Sequence, residues 1–355
     1  MKVIFIPDYS KGNPYQKDLA DSLSKKGVEV CFGKTHSIFS VLKSIKNSWK
    51  PDILHFHWIY PFLLASSKGI TIVKSIFFIA ELAILRILGI KIVWTVHNIV
   101  NHEKKFYSLE LFFTKFAIKF FNIVITHSHF AKNEVKKVYN ITDNFEIQII
   151  PHGNYINNYK NTISRIEARN KLKIDEKEVV FMYFGLIRPY KGVFELIEAF
   201  KGLNVPQKKL LIVGRPFSNE IAKNIIKRCN KNENIKTIFE FIPGNKIQIY
   251  MNAADVVVLP YRDILTSGAV ILAMSFSKPV IAPAIGCIPE TLDSGGSFLY
   301  DPSEKDGLIK AMRQVFNADL IKMGNHNFEL AKQLRWDKIA KKTYEVYCDC
   351  LKRKK

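Results

Sequence analysis

Cysteine is scarce in this chain, which has 355 residues and only five cysteines, at positions 31, 229, 287, 348 and 350. Five scattered cysteines do not make the disulfide framework of a small secreted protein. Cys348 and Cys350 also have no second Cys/His group at zinc-finger spacing. We therefore expect a reducing, cytosolic setting and no structural zinc.

Long apolar runs are missing as well. Residues 70–94 form the longest apolar region, but Lys74, Glu81, Arg86 and Lys91 interrupt it. A bilayer-spanning helix needs about 20 predominantly apolar residues, so we predict no transmembrane helix. Residues 1–7 (MKVIFIP) lack the long apolar core and the small-residue cleavage site of a signal peptide. We predict a first buried strand there instead.

Acidic residues are the minority, and no Asp-x-Asp pair occurs anywhere in the sequence. The chain has 53 Lys and Arg against 32 Asp and Glu, a formal net charge of +21. Such a surface attracts polyanions: nucleic acid, an anionic bilayer or phosphorylated substrates. Without an Asp-x-Asp pair, basic residues and helix dipoles would have to stabilise a leaving diphosphate. We predict metal independence, with no cofactor.

What the sequence does contain is an alternation of short apolar strands and helix-like segments, typical of parallel βαβ units. A polar stretch, residues 157–177, separates two such series. We predict two doubly wound α/β domains, residues 1–160 and 161–335, followed by a crossover helix and basic tail, residues 336–355. The predicted strands are residues 3–6, 28–32, 53–56, 90–96, 123–126 and 147–150, then 179–184, 209–213, 237–241, 256–259, 280–282 and 298–300.

The most informative stretch is residues 184–192 (FGLIRPYKG), between a predicted strand and a predicted helix. Its glycines, Gly185 and Gly192, bound a loop that carries Arg188 and Lys191. Free amides, two cations and a helix N-terminus in one place suit a diphosphate, although an ordinary solvated basic turn has the same composition. The stretch indicates a nucleotide-linked substrate.

A second strand end, residues 260–274, carries Thr266, Ser267 and Gly268 before an apolar helix. Hydroxyls and amides at that helix N-terminus suit phosphate, and plain N-capping uses the same residue types.

Histidines and small polar residues follow the predicted strands of the first half. His57, Trp58 and His97 are placed at strand ends, where a histidine can deprotonate a hydroxyl or bind a sugar. We favour His97 as base or sugar contact, with Glu103 and Asp263 as rivals, and a structural role for His55. Trp58 is either an aromatic platform for a sugar or core packing. The remaining candidates of this half are Gly12 and Asn13, in the loop after the first strand, and His152, near the domain crossing.

Taken in order, these motifs resemble those of GT-B glycosyltransferases of family 4. The resemblance implies two Rossmann-like domains facing across a cleft, with an acceptor-binding first domain, a donor-binding second domain and a C-terminal helix that packs back across them. It implies a hexosyltransferase that moves a sugar from a nucleotide diphosphate to a hydroxyl. The matching stretches are residues 52–58, 95–98, 150–153, 184–192, 285–290 and 336–340.

The resemblance also implies residue roles. Gly185, Arg188, Lys191, Thr266, Ser267 and Gly268 would bind the donor diphosphate, and Tyr261 and Glu290 the donor sugar or nucleoside. His97 and Asp263 would be catalytic, and Gly12, Asn13, His57, Trp58 and His152 would bind the acceptor. Two family glutamates are replaced here by Ile264 and Leu272, a departure that Asp263 or Glu290 would have to compensate. The form of residues 261–268 resembles a mannosyltransferase subgroup and favours GDP-mannose over a UDP-sugar.

Two apolar regions and the net charge favour a membrane partner. Residues 70–88 are apolar almost all round, and residues 109–121 interleave phenylalanines with Lys115 and Lys119. Such segments lie in anionic membrane interfaces, although buried helices explain most of the same residues. We predict peripheral attachment to the inner face of the plasma membrane and a lipid-linked glycan acceptor. A catalytically silent relative, or a basic nucleic-acid-binding protein, is the alternative. No nucleic-acid-binding module is present in the sequence, so we predict no nucleic acid partner.

Overall fold

The computed structural model describes residues 1–35 and 39–352. Contacts divide the chain into two compact units: Met1–Gly153 with Arg335–Lys355, and Asn154–Leu334. We call these unit 1 and unit 2. The last three residues of the predicted basic tail, 353–355, lie outside the described residues.

Strands and helices alternate along both units. The strands are β1 (Lys2–Ile6), β2 (Glu29–Phe32), β3 (Ile53–Phe56), β4 (Lys91–Thr95), β5 (Ile123–Thr126), β6 (Ile147–Ile149), β7 (Val179–Phe184), β8 (Lys208–Val213), β9 (Ile235–Ile238), β10 (Val256–Val258), β11 (Val280–Pro283) and β12 (Ser297–Tyr300). The α-helices are α1 (Pro14–Ser24), α2 (Ser40–Lys46), α3 (Tyr60–Leu63), α4 (Lys68–Ile87), α5 (Tyr107–Ala117), α6 (His129–Tyr139), α7 (Arg165–Leu172), α8 (Val193–Lys201), α9 (Asn219–Cys229), α10 (Ile247–Ala253), α11 (Gly268–Ser275), α12 (Ile288–Thr291), α13 (Gly307–Gln314), α14 (Leu320–Gln333) and α15 (Trp336–Lys352). Short 3-10 helices lie at Ile118–Phe120, Pro189–Lys191, Gly244–Lys246 and Val315–Asn317.

Each unit is built on one parallel sheet with helices packed against it. The strand order is β2-β1-β3-β4-β5-β6 in unit 1 and β12-β11-β10-β7-β8-β9 in unit 2. The order reverses between β1 and β3 and between β7 and β10, and ligands of such sheets bind at the carboxyl ends of the strands at these reversals. The predicted α/β class with two doubly wound, Rossmann-like domains is confirmed.

The strands form because β-branched and aromatic runs can be buried on both faces of a parallel sheet. Val256, Val257 and Val258 of β10 have no exposed surface. Helix α8 covers the same sheet with Val193, Leu196, Ile197 and Phe200, a spacing that places apolar side chains on one face of a helix.

The predicted position of strand β9 is two residues too far along the chain. It runs from Ile235 to Ile238, whereas we predicted residues 237–241. The strand is at the sheet edge and pairs with β8, so the polar residues Lys236 and Thr237 fit there. Phe241, which suggested a buried strand, is 63% exposed.

The last helix belongs to unit 1. Helix α15 packs against α1 and contributes Ile339, Ala340, Tyr347 and Cys350 to the buried core of that unit. None of the described helices is long and apolar enough to cross a bilayer.

Candidate functional site

The segment after β7, residues 185–192, is held against the segment after β10, residues 259–267. We call them the Lys191 loop and the Ser267 loop. Gly192 has a φ of 71°, and a Cβ added there would lie 1.8 Å from the Pro260 carbonyl oxygen. A side chain at this position would therefore push the two loops apart, and glycine adopts this left-handed φ at the least steric cost.

Lys191 is the half-buried cation of this site. Its Nζ lies 5.5 Å from the centre of the Tyr261 ring and 6.0 Å from that of Tyr190. Burial, and then the positive charge of Arg188, lower the pKa of Lys191 to about 8. The ammonium group thus loses hydration without gaining a carboxylate that would raise its pKa, which is the environment that a bound anion relieves.

Arg188 is held by a third loop, the one after β8. The Ile187 N–H donates to the Arg215 carbonyl at 3.0 Å, and the Phe217 N–H donates to the Ile187 carbonyl at 2.9 Å. The Arg188 guanidinium carbon lies 5.3 Å from the centre of the Phe217 ring. Backbone pairing between two strand ends therefore positions the second cation of the Lys191 loop.

The Ser267 loop presents its polar groups at the start of α11. The Ser267 hydroxyl accepts from the Val270 N–H at 3.3 Å and lies 2.8 Å from the Tyr261 hydroxyl. Ser267 is thus the N-cap of α11, with Thr266 before it and Gly268 as the first helical residue. Tyr261 of this loop contacts Lys191. Ser267 therefore caps α11 and also belongs to a loop that lies close to the cations.

Apolar side chains occupy the positions of the two missing glutamates. Ile264 and Leu272 are 9% and 7% exposed. Gly286 has a φ of 60°, and a Cβ there would lie 2.0 Å from the Ile264 carbonyl oxygen. The exposed Asp263 and Glu290 lie on the Ser267 loop and on α12, and their roles remain predictions.

In unit 1, four histidines follow four neighbouring strands. His57 follows β3, His97 lies two residues beyond β4, His127 follows β5, and His152 lies three residues beyond β6. The sheet is parallel, so these strand ends share one edge. We call these four residues the histidine cluster.

The imidazole rings of this cluster contact one another. His97 Nδ1 lies 3.3 Å from His127 Nε2, and His97 Nε2 lies 3.5 Å from His57 Nδ1. Burial lowers the pKa of His127 to about 4 and holds the pKa of His57 and His97 well below the usual range. Burial and neighbouring His127 lower the pKa of His152 to about 3. The rings are therefore neutral at pH 7.

Tyr15 of α1 lies in the middle of the histidine cluster. Its ring centre is 4.9 Å from that of His97, 4.8 Å from that of His152 and 5.4 Å from that of Trp336. Asn13, a predicted acceptor residue, accepts from the Tyr15 N–H at 3.0 Å as the N-cap of α1. The sequence prediction missed Tyr15.

Aromatic rings also cover the cluster from other elements. Trp58 stacks on His97, with 4.4 Å between ring centres and 19° between ring planes. A Cβ added at Gly153 would lie 2.3 Å from the Trp336 indole. Any larger residue at position 153 would therefore clash with Trp336, the first residue of α15. Gly12 has open space around its Cβ position, so no packing contact requires glycine there.

His55 has the structural role that we favoured. It is fully buried, with Nδ1 at 2.6 Å from the Tyr347 hydroxyl and Nε2 at 2.8 Å from the Thr95 hydroxyl. Both ring nitrogens are therefore used within the core of unit 1.

No group of three or more His, Cys, Asp or Glu side chains among residues 1–35 and 39–352 is arranged to hold a metal ion. Metal independence of the reaction remains a prediction.

Family models and relatives cover the chain almost from end to end. Residues 164–342 match the model of glycosyl transferases group 1, and residues 15–154 match that of glycosyltransferase family 4. GDP-mannose:glycolipid 4-beta-D-mannosyltransferase of Xanthomonas campestris pv. campestris is 26% identical over 352 residues, covering 96% of this chain and 89% of the relative. Lipopolysaccharide 1,2-N-acetylglucosaminetransferase of Salmonella typhimurium is 28% identical over 215 residues, covering 56% of this chain and 55% of that protein.

Solved structures share the fold. Sucrose-phosphate synthase from Thermosynechococcus elongatus has a TM-score of 0.78 at 16% identity, with 98% of each chain covered. Anabaena HepE in complex with UDP and glucose has a TM-score of 0.76 at 18% identity, covering 98% of this chain and 100% of that one. These structures and the two parallel sheets establish the GT-B fold. The two matched models establish that the chain belongs to the group 1, family 4 glycosyltransferases.

Proposed function

We propose that the protein transfers mannose from GDP-mannose to a hydroxyl group of a lipid-linked glycan. The observation that carries the proposal is Lys191, a half-buried cation beside Arg188, at the strand-order reversal of unit 2. Such a site suits the diphosphate of a nucleotide sugar. The GDP-mannose donor and the glycolipid acceptor are supported by the name of the Xanthomonas relative, which aligns with 96% of the chain.

The proposed reaction is a single displacement. The oxygen of an acceptor hydroxyl bonds to the anomeric carbon of mannose, the bond from that carbon to the diphosphate oxygen breaks, and its electron pair leaves with GDP. The hydroxyl proton goes to His97, whose ring is neutral at pH 7 because burial holds its pKa well below the usual range. Arg188 and Lys191 stabilise the charge on the departing diphosphate.

Inversion at the anomeric carbon follows from this scheme. A retaining double displacement would need a carboxylate nucleophile, and the positions of the two family glutamates hold Ile264 and Leu272. An α-linked GDP-mannose would then give a β-mannoside, the linkage in the name of the Xanthomonas relative.

A transfer assay tests the proposal. Purified protein is incubated with GDP-mannose, UDP-glucose or ADP-glucose and with octyl β-D-glucoside as a synthetic lipid-linked acceptor, in excess EDTA. We expect a mannosylated glucoside, equimolar GDP, a β linkage by NMR, and no loss of rate relative to added Mg²⁺. Transfer from UDP-glucose alone would disprove the GDP-mannose donor. Stabilisation by GDP without any transfer would favour the catalytically silent alternative, which the loss of both glutamates also favours.

The acceptor proposal draws support from α4, which buries Phe78, Leu82 and Leu85 but also leaves several large apolar side chains exposed to solvent. Thr71, Ser75 and Glu81 of this helix are buried, whereas Ile70, Ile76 and Ile87 are 54%, 55% and 78% exposed. The Glu81 carboxylate accepts from the Leu42 N–H at 3.0 Å, and burial raises its pKa to about 7. The expectation that residues 70–88 are mainly buried is therefore wrong for the outer side of the helix.

Helix α5 packs beside α4 and extends this surface. Phe112 and Phe116 are 61% and 48% exposed, and the Lys119 ammonium lies 5.2 Å from the centre of the Phe116 ring. We call the outward side of both helices the α4–α5 face. Its apolar side chains are Ile70, Val73, Ile76, Ile84, Ile87, Phe112 and Phe116, and the basic residues of these helices are Lys68, Lys74, Arg86 and Lys115.

An apolar face with cations beside it suits an anionic membrane surface, where apolar side chains enter the interface and Lys and Arg contact lipid phosphates. We therefore propose peripheral attachment to the inner face of the plasma membrane through the α4–α5 face. A lipid-linked acceptor would be presented in the same plane.

We expect the double variant Phe112→Ser, Phe116→Ser to bind vesicles of phosphatidylglycerol and phosphatidylcholine at least about tenfold more weakly than the wild type, because two exposed rings no longer enter the interface. Cosedimentation measures this. The matched control is Phe241→Ser, which removes a 63% exposed phenylalanine from unit 2 and should leave vesicle binding unchanged. Equal binding of the wild type and the double variant would disprove the α4–α5 face as the attachment surface.

A further inference from the structure

A cavity in unit 2 lies outside the groups that the proposed reaction uses. It has a volume of about 600 Å³ and lies between α8, the Ser267 loop and the segment that joins β12 to α13. Tyr261 and Arg262 of the Ser267 loop line it, whereas Lys191 does not. Cavities of this size hold small molecules. This cavity therefore adjoins the donor loops without being the diphosphate site.

The arginines of the cavity are paired with carboxylates. Arg228 Nη1 lies 3.0 Å from Glu198 Oε1, and the Arg262 guanidinium donates to Glu195 Oε1. Four acidic residues line the cavity against three basic ones, although the whole chain has a net charge of +21. A bound anion would have to displace a carboxylate from each arginine. The charges of the cavity therefore favour a neutral ligand over a phosphate.

One carboxylate of the cavity has accepting capacity that the protein does not use. Arg262 contacts Glu195 Oε1, and Glu195 Oε2 has no hydrogen-bond partner within residues 1–35 and 39–352. Burial and the negative charge of Glu195 raise the pKa of Tyr300, which places the phenol near this carboxylate. Hydroxyl groups both donate and accept. They match a site that combines paired guanidinium groups with an incompletely used carboxylate.

Aromatic and aliphatic side chains give the same cavity an apolar part. Phe194 of α8 and Tyr300 at the end of β12 line it, together with Leu308 and Ile309 of α13. The Arg228 guanidinium carbon lies 5.0 Å from the centre of the Phe194 ring, so an apolar ring and a hydrogen-bond donor lie side by side. A sugar ring has C–H groups on its faces and hydroxyl groups around its rim, and it needs both kinds of partner.

We propose that this cavity is a second saccharide-binding site, which takes one neutral pyranose unit of a glycan and is separate from the donor site. The two arginines and Glu195 bind its hydroxyl groups, and Phe194 and Tyr300 contact its ring. The inference goes beyond the proposed function, because the transfer reaction needs no sugar here. A glycan that is held at an additional site dissociates from the enzyme more slowly.

The choice of test variants depends on Arg262, which also belongs to the donor loops. Its N–H donates to the Tyr190 carbonyl at 2.8 Å and so joins the Ser267 loop to the Lys191 loop. Loss of Arg262 or of its partner Glu195 would also disturb the diphosphate site. Arg228 and Tyr300 belong to α9 and β12, so they are the residues to change.

Methyl NMR of the full-length protein locates a bound sugar without any assay of transfer. Isoleucine Cδ1 methyl groups are labelled, and the Ile309 signal is assigned by its loss in Ile309→Val. Methyl β-D-mannopyranoside should shift this signal with a dissociation constant on the order of 1 mM. The signal of Ile247, which belongs to a different core cluster, should not move. No shift of Ile309, or a shift with inorganic phosphate in place of the sugar, would overturn the proposal.

Two variants show whether the sugar occupies the cavity. Arg228→Met removes the guanidinium from an exposed position of α9, so the protein should fold normally and bind the sugar at least about tenfold more weakly. Tyr300→Ala removes a ring and should weaken binding to a similar extent.

Arg313→Met is the matched control, because Arg313 is an exposed arginine of α13 that does not line the cavity. Its dissociation constant for the sugar should lie within about twofold of the wild type. If both cavity variants bind the sugar as tightly as Arg313→Met, the proposal is wrong. A wild type that transfers no mannose would refute the proposed function, and the sugar titration would still decide whether the cavity binds a saccharide.

Discussion

Lys191→Ala is expected to weaken GDP binding by about a hundredfold or more, because a charge-assisted contact to each phosphate is worth about 1.5–3 kcal/mol. Lys191 loses hydration in the folded protein, and its pKa is already lowered to about 8. An anion that restores a partner to this cation therefore gains more than it would at an exposed lysine. Isothermal titration with GDP, without added metal, measures the effect.

The pH dependence of GDP binding follows from the same group. The protonated fraction of Lys191 falls as pH rises through about 8, so wild-type affinity should fall between pH 7 and 9, while that of Lys191→Ala should change much less. The effect on stability has the opposite sign. The folded-state pKa lies below the ordinary value of 10.5, so the unfolded chain binds more protons in that window, and the contribution of Lys191 to stability rises with pH.

A matched lysine shows whether the effect is local. Lys332 is exposed on α14 and pairs with Glu329 in the same unit. Lys332→Ala also removes one positive charge, and it should leave the GDP dissociation constant within about twofold of the wild type. If Lys191→Ala binds GDP as tightly as Lys332→Ala, the Lys191 loop is not the diphosphate site.

Much of this site could be predicted because its pattern is local. Residues 184–192 place two glycines and two cations between a strand and a helix in one continuous stretch, and the βαβ alternation fixes which ends of the strands gather. The predicted position of the edge strand β9 is two residues too late because the prediction followed the apolar residues. An edge strand needs fewer apolar residues than a central strand.

The residues that sequence reasoning missed are brought together by contacts distant in the chain. Tyr15 and Trp336 meet beside His152 although more than 300 residues separate them. His127 has a local signal, since it directly follows a predicted strand as His57 does. The sequence contains no signal for which side of α4 faces solvent, because its isoleucines give the same apolar pattern whether they face the core or solvent.

Gly192→Ala is expected to lower the free energy of unfolding of unit 2 by about 2–4 kcal/mol, the size typical of a strained positive φ combined with a backbone clash. The added Cβ would lie 1.8 Å from the Pro260 carbonyl oxygen, at a φ of 71°. Backbone on both sides must shift, and the shift displaces Lys191, the preceding residue. Urea denaturation followed by far-UV circular dichroism measures the loss, and GDP binding should fall with it.

Comparison with other variants separates loop geometry from charge. Gly69→Ala, at the start of α4, adds a Cβ with nothing within 4 Å, and alanine favours a helix over glycine by about 0.5–1 kcal/mol, so its stability should not fall. Lys191→Ala should lose GDP binding without losing stability, because it removes a poorly hydrated cation. Gly192→Ala should lose both. A Gly192→Ala protein as stable as Gly69→Ala would mean that the two loops do not need their close approach, and the position of Lys191 would then have to come from its own side-chain contacts with Tyr190 and Tyr261.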